Sequence, residues 1–177
     1  MIKMTEEQIL YEGDWLRFCR RGTFEYVRRV RGRAAAIIIA MTEDRHVVLV
    51  EQYRHSMDCS ALELPAGLVG DEVVTREETI LEGAQRELLE ETGYEATRMH
   101  LMHYGPASSG LSSELMYFCY AEGLVKRHEG GGDATENIIV HHAPLVTIHD
   151  YLASAQERGL SIDPKIYLGL YWIGQRS

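Results

Sequence analysis

Three glutamates, Glu87, Glu90 and Glu91, stand at i, i+3 and i+4 within the stretch Glu78 to Tyr94. On a helix that spacing gathers three carboxylates on one face. Like charges so placed repel, each pair by roughly a few tenths of a kcal/mol on an exposed helix. Such a face either turns to water, as a solvated acidic stripe, or is offered to a cation. Hard divalent cations take carboxylate oxygens, and Mg²⁺ in particular sits among protein carboxylates, waters and substrate phosphates. Arg86 lies one turn before Glu90, close enough to pair with it and orient the carboxylates. Glu78 falls where the helix begins, a position at which the dipole favours a negative charge in any case.

Glu78, seven residues, Arg86-Glu87-Leu88, one residue, Glu90-Glu91, one residue, Gly93-Tyr94: this order resembles the signature helix of the Nudix hydrolases. These enzymes cleave nucleoside diphosphates linked to a further moiety. The family pattern also has a glycine six positions before the first glutamate, where this chain has Glu72. The nearest suitable glycine is Gly67, with ten residues between it and Glu78 rather than five, which reads as a five-residue insertion in the preceding loop.

The likeness extends along nearly the whole chain. Glu51-Gln52-Tyr53-Arg54, Glu63-Leu64-Pro65-Ala66-Gly67, Ser108 to Glu114 and the N-terminal Glu12 to Arg29 resemble the ADP-ribose pyrophosphatase branch. Its members hydrolyse nucleoside diphosphate sugars as homodimers whose N-terminal strands help build the partner's site. The resemblance implies Mg²⁺, or Mn²⁺, held by Glu87, Glu90, Glu91 and the Ala66 carbonyl. It implies catalytic roles for Glu78, Arg86 and Glu90. A glutamate from the loop before the last strand would act as general base. Glu136 stands there, with Asp133 and Glu129 as competitors on the same glycine-rich loop. One departure concerns the substrate. Where the branch has Ser-Pro-Gly, this chain has Ser108-Ser109-Gly110, which leaves GDP-mannose and other nucleotide sugars open beside ADP-ribose.

Five residues are candidates for holding that substrate. Arg54 and Arg29 offer guanidinium groups to phosphate, and Glu114 closes the Ser108–Glu114 segment. Trp15 and Phe24 have aromatic faces on which a base can stack. The structural alternatives are surface arginines and, for the two aromatics, core packing or a dimer interface.

The chain has 177 residues and a net charge of −9, which disfavours nucleic acid as a partner. The charge is uneven: seven of the 18 basic residues lie between Arg17 and Arg33. They read either as a solvated strand face or as a phosphate-binding wall facing the acidic helix. No apolar run reaches membrane-spanning length, and the start, Met-Ile-Lys-Met-Thr-Glu-Glu, is too acidic for a signal peptide. Both features point to the cytoplasm, away from any membrane. Cys19, Cys59 and Cys119 have no metal or redox spacing and read as reduced thiols.

These residues need a scaffold to bring them together. The pattern predicts strands at Gln8–Tyr11, Trp15–Cys19, Phe24–Val30, Ala34–Met41, Val47–Gln52, Leu101–Tyr104, Leu115–Ala121 and Ile138–His142. Thr79 with Glu82 forms a capping box for a helix reaching Thr92, with Gly93 as its C′ residue and Leu81, Ala84 and Leu88 as its core stripe. Helices follow over Ile148–Arg158 and over residues 164 to 173, the latter opened by Pro164. Glu129 to Asp133 reads as a mobile loop. The expected fold is α/β, a mixed sheet in an α/β/α sandwich preceded by N-terminal antiparallel strands, in one domain. Residues 1–33 would serve dimerisation and 34–177 the catalytic core. Two rival functions fit the same frame: a nucleoside triphosphate-sanitising pyrophosphohydrolase and a non-catalytic nucleotide-sugar sensor. No signature glutamate is lost, which argues against the sensor.

Overall fold

The structure is a computed structural model and describes residues 6–32, 34–70, 79–132 and 137–176. The first strands, β1 (Glu7–Glu12), β2 (Leu16–Arg21) and β3 (Phe24–Arg29), form an antiparallel sheet of their own. Strands β4 (Ala34–Ala40), β5 (His46–Arg54), β6 (Cys59–Glu63) and β7 (Ala66–Val69) precede helix α1 (Ile80–Thr92). Then come β8 (Tyr94–Pro106), β9 (Leu115–Lys126), β10 (Ile138–Pro144), α2 (Ile148–Glu157), the short β11 (Ser161–Ile162) and α3 (Lys165–Arg176). Two four-stranded sheets result, in the orders β7-β4-β9-β8 and β10-β5-β6-β11. Each is mixed, because β4 runs parallel to β9 and β6 parallel to β11 while the other pairs are antiparallel.

The side-chain period of two in β4 divides the core. Ile37 and Ile39 pack with Leu49, Leu62, Leu64 and Phe118 against Ile148 and Leu152 of α2 and Ile166 and Ile173 of α3. Ala36, Ile38 and Ala40 face the other way, onto Ala84 and Leu88 of α1. Helices therefore cover both sides of the β layer, the expected α/β/α arrangement. The capping box is present: the Glu82 amide donates to Thr79 Oγ1 at 3.3 Å, and the Thr79 amide donates to the Glu82 carboxylate at 2.9 Å. Among the described residues no helix is long and apolar enough to cross a membrane. All three cysteines are free thiols, and burial pushes Cys119 up to about 11.

The structure corrects several expectations. Leu81 is 37% exposed and leaves the core stripe, where Gly83 is buried beside Ala84 and Leu88. Strand β8 begins directly after Gly93, and β9 continues to Lys126. Both extensions carry polar, exposed residues such as Thr97 and Arg98, which hide a strand from a search for apolar runs. Strands β7 and β11 are too short to show a period. The glycine-rich segment, expected to be mobile, is tied down over Gly130–Gly132. The Gly131 amide donates to the Glu91 carbonyl at 2.9 Å and the Gly132 amide to the Glu90 carbonyl at 3.1 Å. These carbonyls lack helical partners at the end of α1, so the loop caps the helix.

Gly93 makes that junction sterically feasible. Its φ is +71°, and a Cβ there would overlap the His128 carbonyl. Gly93→Ala is therefore expected to lower stability by about 2 kcal/mol, the left-handed penalty plus the clash. Thr79→Ala should cost about 1 kcal/mol through loss of the cap. Urea unfolding of both variants checks the ranking; a Gly93→Ala midpoint equal to wild type contradicts the junction described.

Candidate active site

One cleft of about 710 Å³ gathers most of the candidate residues. Arg29, Arg54, Ala66, Arg86, Glu87, Glu90 and Glu114 all line it. Its acidic wall is the face of α1 that meets β7. Glu91 is only 3% exposed and accepts a hydrogen bond from the Ala66 amide at 3.0 Å. Arg86 donates from Nη2 to the Leu68 carbonyl at 2.9 Å, and its Nη1 lies 2.9 Å from Glu87 and 3.0 Å from Glu90. A methyl group on Gly67 would fill the space of the Glu87 carboxylate, so only glycine lets that side chain lie against β7. Glu87, Glu90, Glu91 and the Ala66 backbone are thus held at one junction by backbone contacts on both sides.

Three clustered carboxylates are the donor type a hard divalent cation takes. Among the described residues no three acidic, His or Cys side chains already stand in a metal cage. Arg86 is drawn in beside Glu87 and Glu90 instead, and it partly offsets the repulsion expected from their spacing.

Another wall comes from β5 and β6, with Asp163 and Lys165 at the start of α3. Arg54 reaches the Glu63 carboxylate with two hydrogen bonds, Nε at 2.6 Å and Nη2 at 2.8 Å. That carboxylate, only 6% exposed, is the main reason the guanidinium is held charged beyond its ordinary range. Parallel pairing of β11 with β6 sets Asp163 beside Glu63. The Asp163 amide donates to the Leu62 carbonyl at 3.0 Å, and its side chain accepts from the Lys165 amide at 2.8 Å and pairs with Lys165 Nζ. The third wall is the segment before β9. Glu114 pairs with Arg29, and the Val27 amide and carbonyl bond the backbone of Leu111 and Ser113 at 2.8 and 3.1 Å. The N-terminal sheet is thereby fastened to the rim of the cleft.

Trp15 and Phe24 do not join this group. Trp15 is 58% exposed with the Arg31 guanidinium stacked 5.3 Å from its ring, and Phe24 is 75% exposed beside Ser109 and Gly110. Of the basic run, only Arg29 lines the main cleft among the described residues. Arg17, Arg21 and Arg28 surround a neighbouring hollow of about 490 Å³ around Glu7. Glu129 is fully exposed. Glu78, Asp133 and Glu136 lie outside the described residues.

Sequence reasoning assigned no role to Glu63, Asp163 and Lys165, which also line the cleft. Asp163 before Pro164 carried a detectable signal as a helix-capping residue. Its placement beside Glu63 depends on a two-residue strand that no pattern reveals.

Comparison with known proteins fits this geometry. The chain is 37% identical over 106 residues to a methanol dehydrogenase activator of Bacillus methanolicus, covering 58% of this chain and 53% of that one. It is 32% identical over 97 residues to an ADP-ribose pyrophosphatase of Bacillus subtilis (strain 168), covering 54% and 49%. It thus spans about half the length of the curated relatives it matches. A crystal structure of an ADP compounds hydrolase superposes with a TM-score of 0.73 over 98% of this chain and 92% of that one, at 19% identity, a likeness of fold. The NUDIX domain model matches residues 30–166, which carry β4 to β11 and the cleft they enclose. The chain belongs to the NUDIX domain family.

Proposed function

We propose that the protein hydrolyses the diphosphate of nucleoside diphosphate sugars, of the ADP-ribose or GDP-mannose type, to a nucleoside monophosphate and a sugar phosphate. The observation that carries this reading is the meeting, in one cleft, of a buttressed carboxylate face on α1 with guanidinium groups on the facing wall. A diphosphate ester needs both: arginines accept phosphate oxygens, and carboxylates hold the cation that balances the remaining charge. Mg²⁺, or Mn²⁺, held by Glu87, Glu90, Glu91 and the Ala66 carbonyl would neutralise the diphosphate and ease attack by water. The names of the similar proteins, a pyrophosphatase and an activator, agree with a phosphoanhydride substrate in the first case only.

In the reaction, water forms a new bond to one phosphorus and the bridging P–O bond breaks. The water's proton passes to a base, and the other phosphate leaves with its bridging oxygen. Arg54 and Arg29 bind phosphate oxygens, Glu114 orients Arg29, and Arg86 orients Glu87 and Glu90. Glu78 and Glu136 lie outside the described residues; in this reading Glu78 assists at the cation site and Glu136 is the base. If it accepts the proton, Glu136→Gln should lower kcat by about 10² to 10⁴ with little change in KM. Asp133→Asn is the control within the same loop. Normal turnover by Glu136→Gln beside a crippled Asp133→Asn moves the role to Asp133.

The second part of the reading is a homodimer. Ile9, Leu10, Tyr11, Trp15, Leu16, Phe18 and Phe24 are all exposed on the N-terminal sheet or its turns, an apolar area that suits burial against a second copy. Trp15 and Phe24 stand outside their own chain's cleft, so they would meet a bound base from the partner. Deleting residues 1–33 should then cost both dimerisation and activity; a fully active monomer by light scattering contradicts this. Cytoplasmic location is part of the same reading, and the three free thiols suit a reducing compartment.

Substrate class is tested by assaying ADP-ribose, GDP-mannose and UDP-glucose with Mg²⁺, each with and without chelator. Turnover of at least one, abolished by EDTA, is expected. Hydrolysis confined to nucleoside triphosphates would favour the sanitising enzyme instead.

A further inference from the structure

Arg54 lines the cleft, and what holds it is a side chain with no role so far. In the hairpin of β5 and β6, Arg54 is paired with Cys59 and Val50 with Glu63. Arg54 and Glu63 side chains therefore share one face, four residues apart along the strand, about 14 Å at roughly 3.4 Å per residue. The two side chains reach toward each other along that face, on which Ala61 is the small residue between Cys59 and Glu63. Where they meet, Nε and Nη2 are taken up by the Glu63 carboxylate, and among the described residues Nη1 makes no hydrogen bond. Glu63 is in turn nearly sealed from water and stands directly before Leu64-Pro65-Ala66, the segment that carries the backbone contact to Glu91.

We propose that Glu63 is a positioning residue: it fixes the Arg54 guanidinium so that its remaining edge meets the substrate's diphosphate. The inference rests on the proposed nucleotide-sugar reading for its ligand. The physical reason is preorganisation. An arginine freed at its tip regains several rotamers, and binding must then freeze them again. The surroundings would also draw it elsewhere, because Asp163 and Glu91 both act on its charge. Without Glu63 the guanidinium would be drawn toward these two carboxylates instead.

The test is a double-mutant cycle on the full-length protein, read by calorimetric binding of ADP, a diphosphate, and by KM and kcat in parallel. Arg54→Ala should weaken ADP binding about 10- to 100-fold, the loss of a charge-assisted contact. Glu63→Gln, isosteric and still able to accept one hydrogen bond, should weaken it by about 10-fold, and Glu63→Asp less than Glu63→Gln if charge is the main need. The deciding outcome is coupling. In the Arg54→Ala background Glu63→Gln should have almost no further effect on ADP affinity, and its effect in wild type should fall on KM rather than kcat. Equal and additive losses in both backgrounds would overturn the proposal, as would Glu63→Gln binding ADP normally while its unfolding midpoint drops, which marks a purely structural pair. A wild-type protein that binds ADP but turns over no nucleotide sugar would remove the hydrolase reading and leave the role of Glu63 standing. A wild type that binds no diphosphate at all would remove the role as well.

Discussion

Everything at the site depends on how closely α1 lies against β7. Three contacts define that approach: the Ala66 amide on Glu91, Arg86 on the Leu68 carbonyl, and Glu87 lying where Gly67 has no side chain. The main chain of β7 supplies a donor, an acceptor and a gap in consecutive residues, and the helix supplies a matching carboxylate, guanidinium and carboxylate. A buried carboxylate such as Glu91 is tolerated because a main-chain N–H answers it. The C-terminal backbone of α1 is held in a related way. Gly131 and Gly132 amides satisfy the carbonyls of Glu91 and Glu90, so two of the acidic residues are fixed through both side chain and backbone surroundings.

All walls of the cleft balance charge in the same way. Each of Arg29, Arg54, Arg86 and Lys165 in the cleft is paired with a cleft carboxylate, Glu114, Glu63, Glu87 with Glu90, and Asp163 respectively. Strand pairing sets the spacing of part of this network. The β5–β6 hairpin aligns Arg54 with Glu63, and the β11–β6 pair adds Asp163. The result is a site that holds its cations ready without leaving them unbalanced in the absence of substrate. Paired arginines are also less able to collapse onto the acidic helix, which keeps the two walls distinct.

The helix was legible in the sequence because its signals are local. Thr79 and Glu82 announce its start, Gly93 its end, and the i, i+3, i+4 glutamates its acidic face. Strands β4 and β5 were legible because burial on both sides gives continuous apolar runs. Leu81 misled, since its position in the pattern suits a core stripe but it sits in the first turn, half-exposed beyond the sheet's cover. Glu63 and Asp163 were quoted or passed over for a deeper reason: their meaning lies in register between strands, and register is a tertiary property. Trp15 and Phe24 show the converse case, aromatic residues whose type suggests a role while the single chain leaves them facing outward.

The most direct measurement is binding of Mn²⁺, followed by electron paramagnetic resonance, to the wild type and to Gly67→Ala. The substitution adds one methyl group where the Glu87 carboxylate lies and has flexible side-chain atoms, not backbone, in its way. The fold should therefore survive, as judged by an unchanged circular dichroism spectrum, while the carboxylate is pushed off its place. The account predicts that wild type binds Mn²⁺ and that Gly67→Ala binds it at least about tenfold more weakly, an energy of about 1.4 kcal/mol. Equal affinity in the two proteins, or no binding to wild type, would contradict the claim that the α1–β7 junction is a cation site.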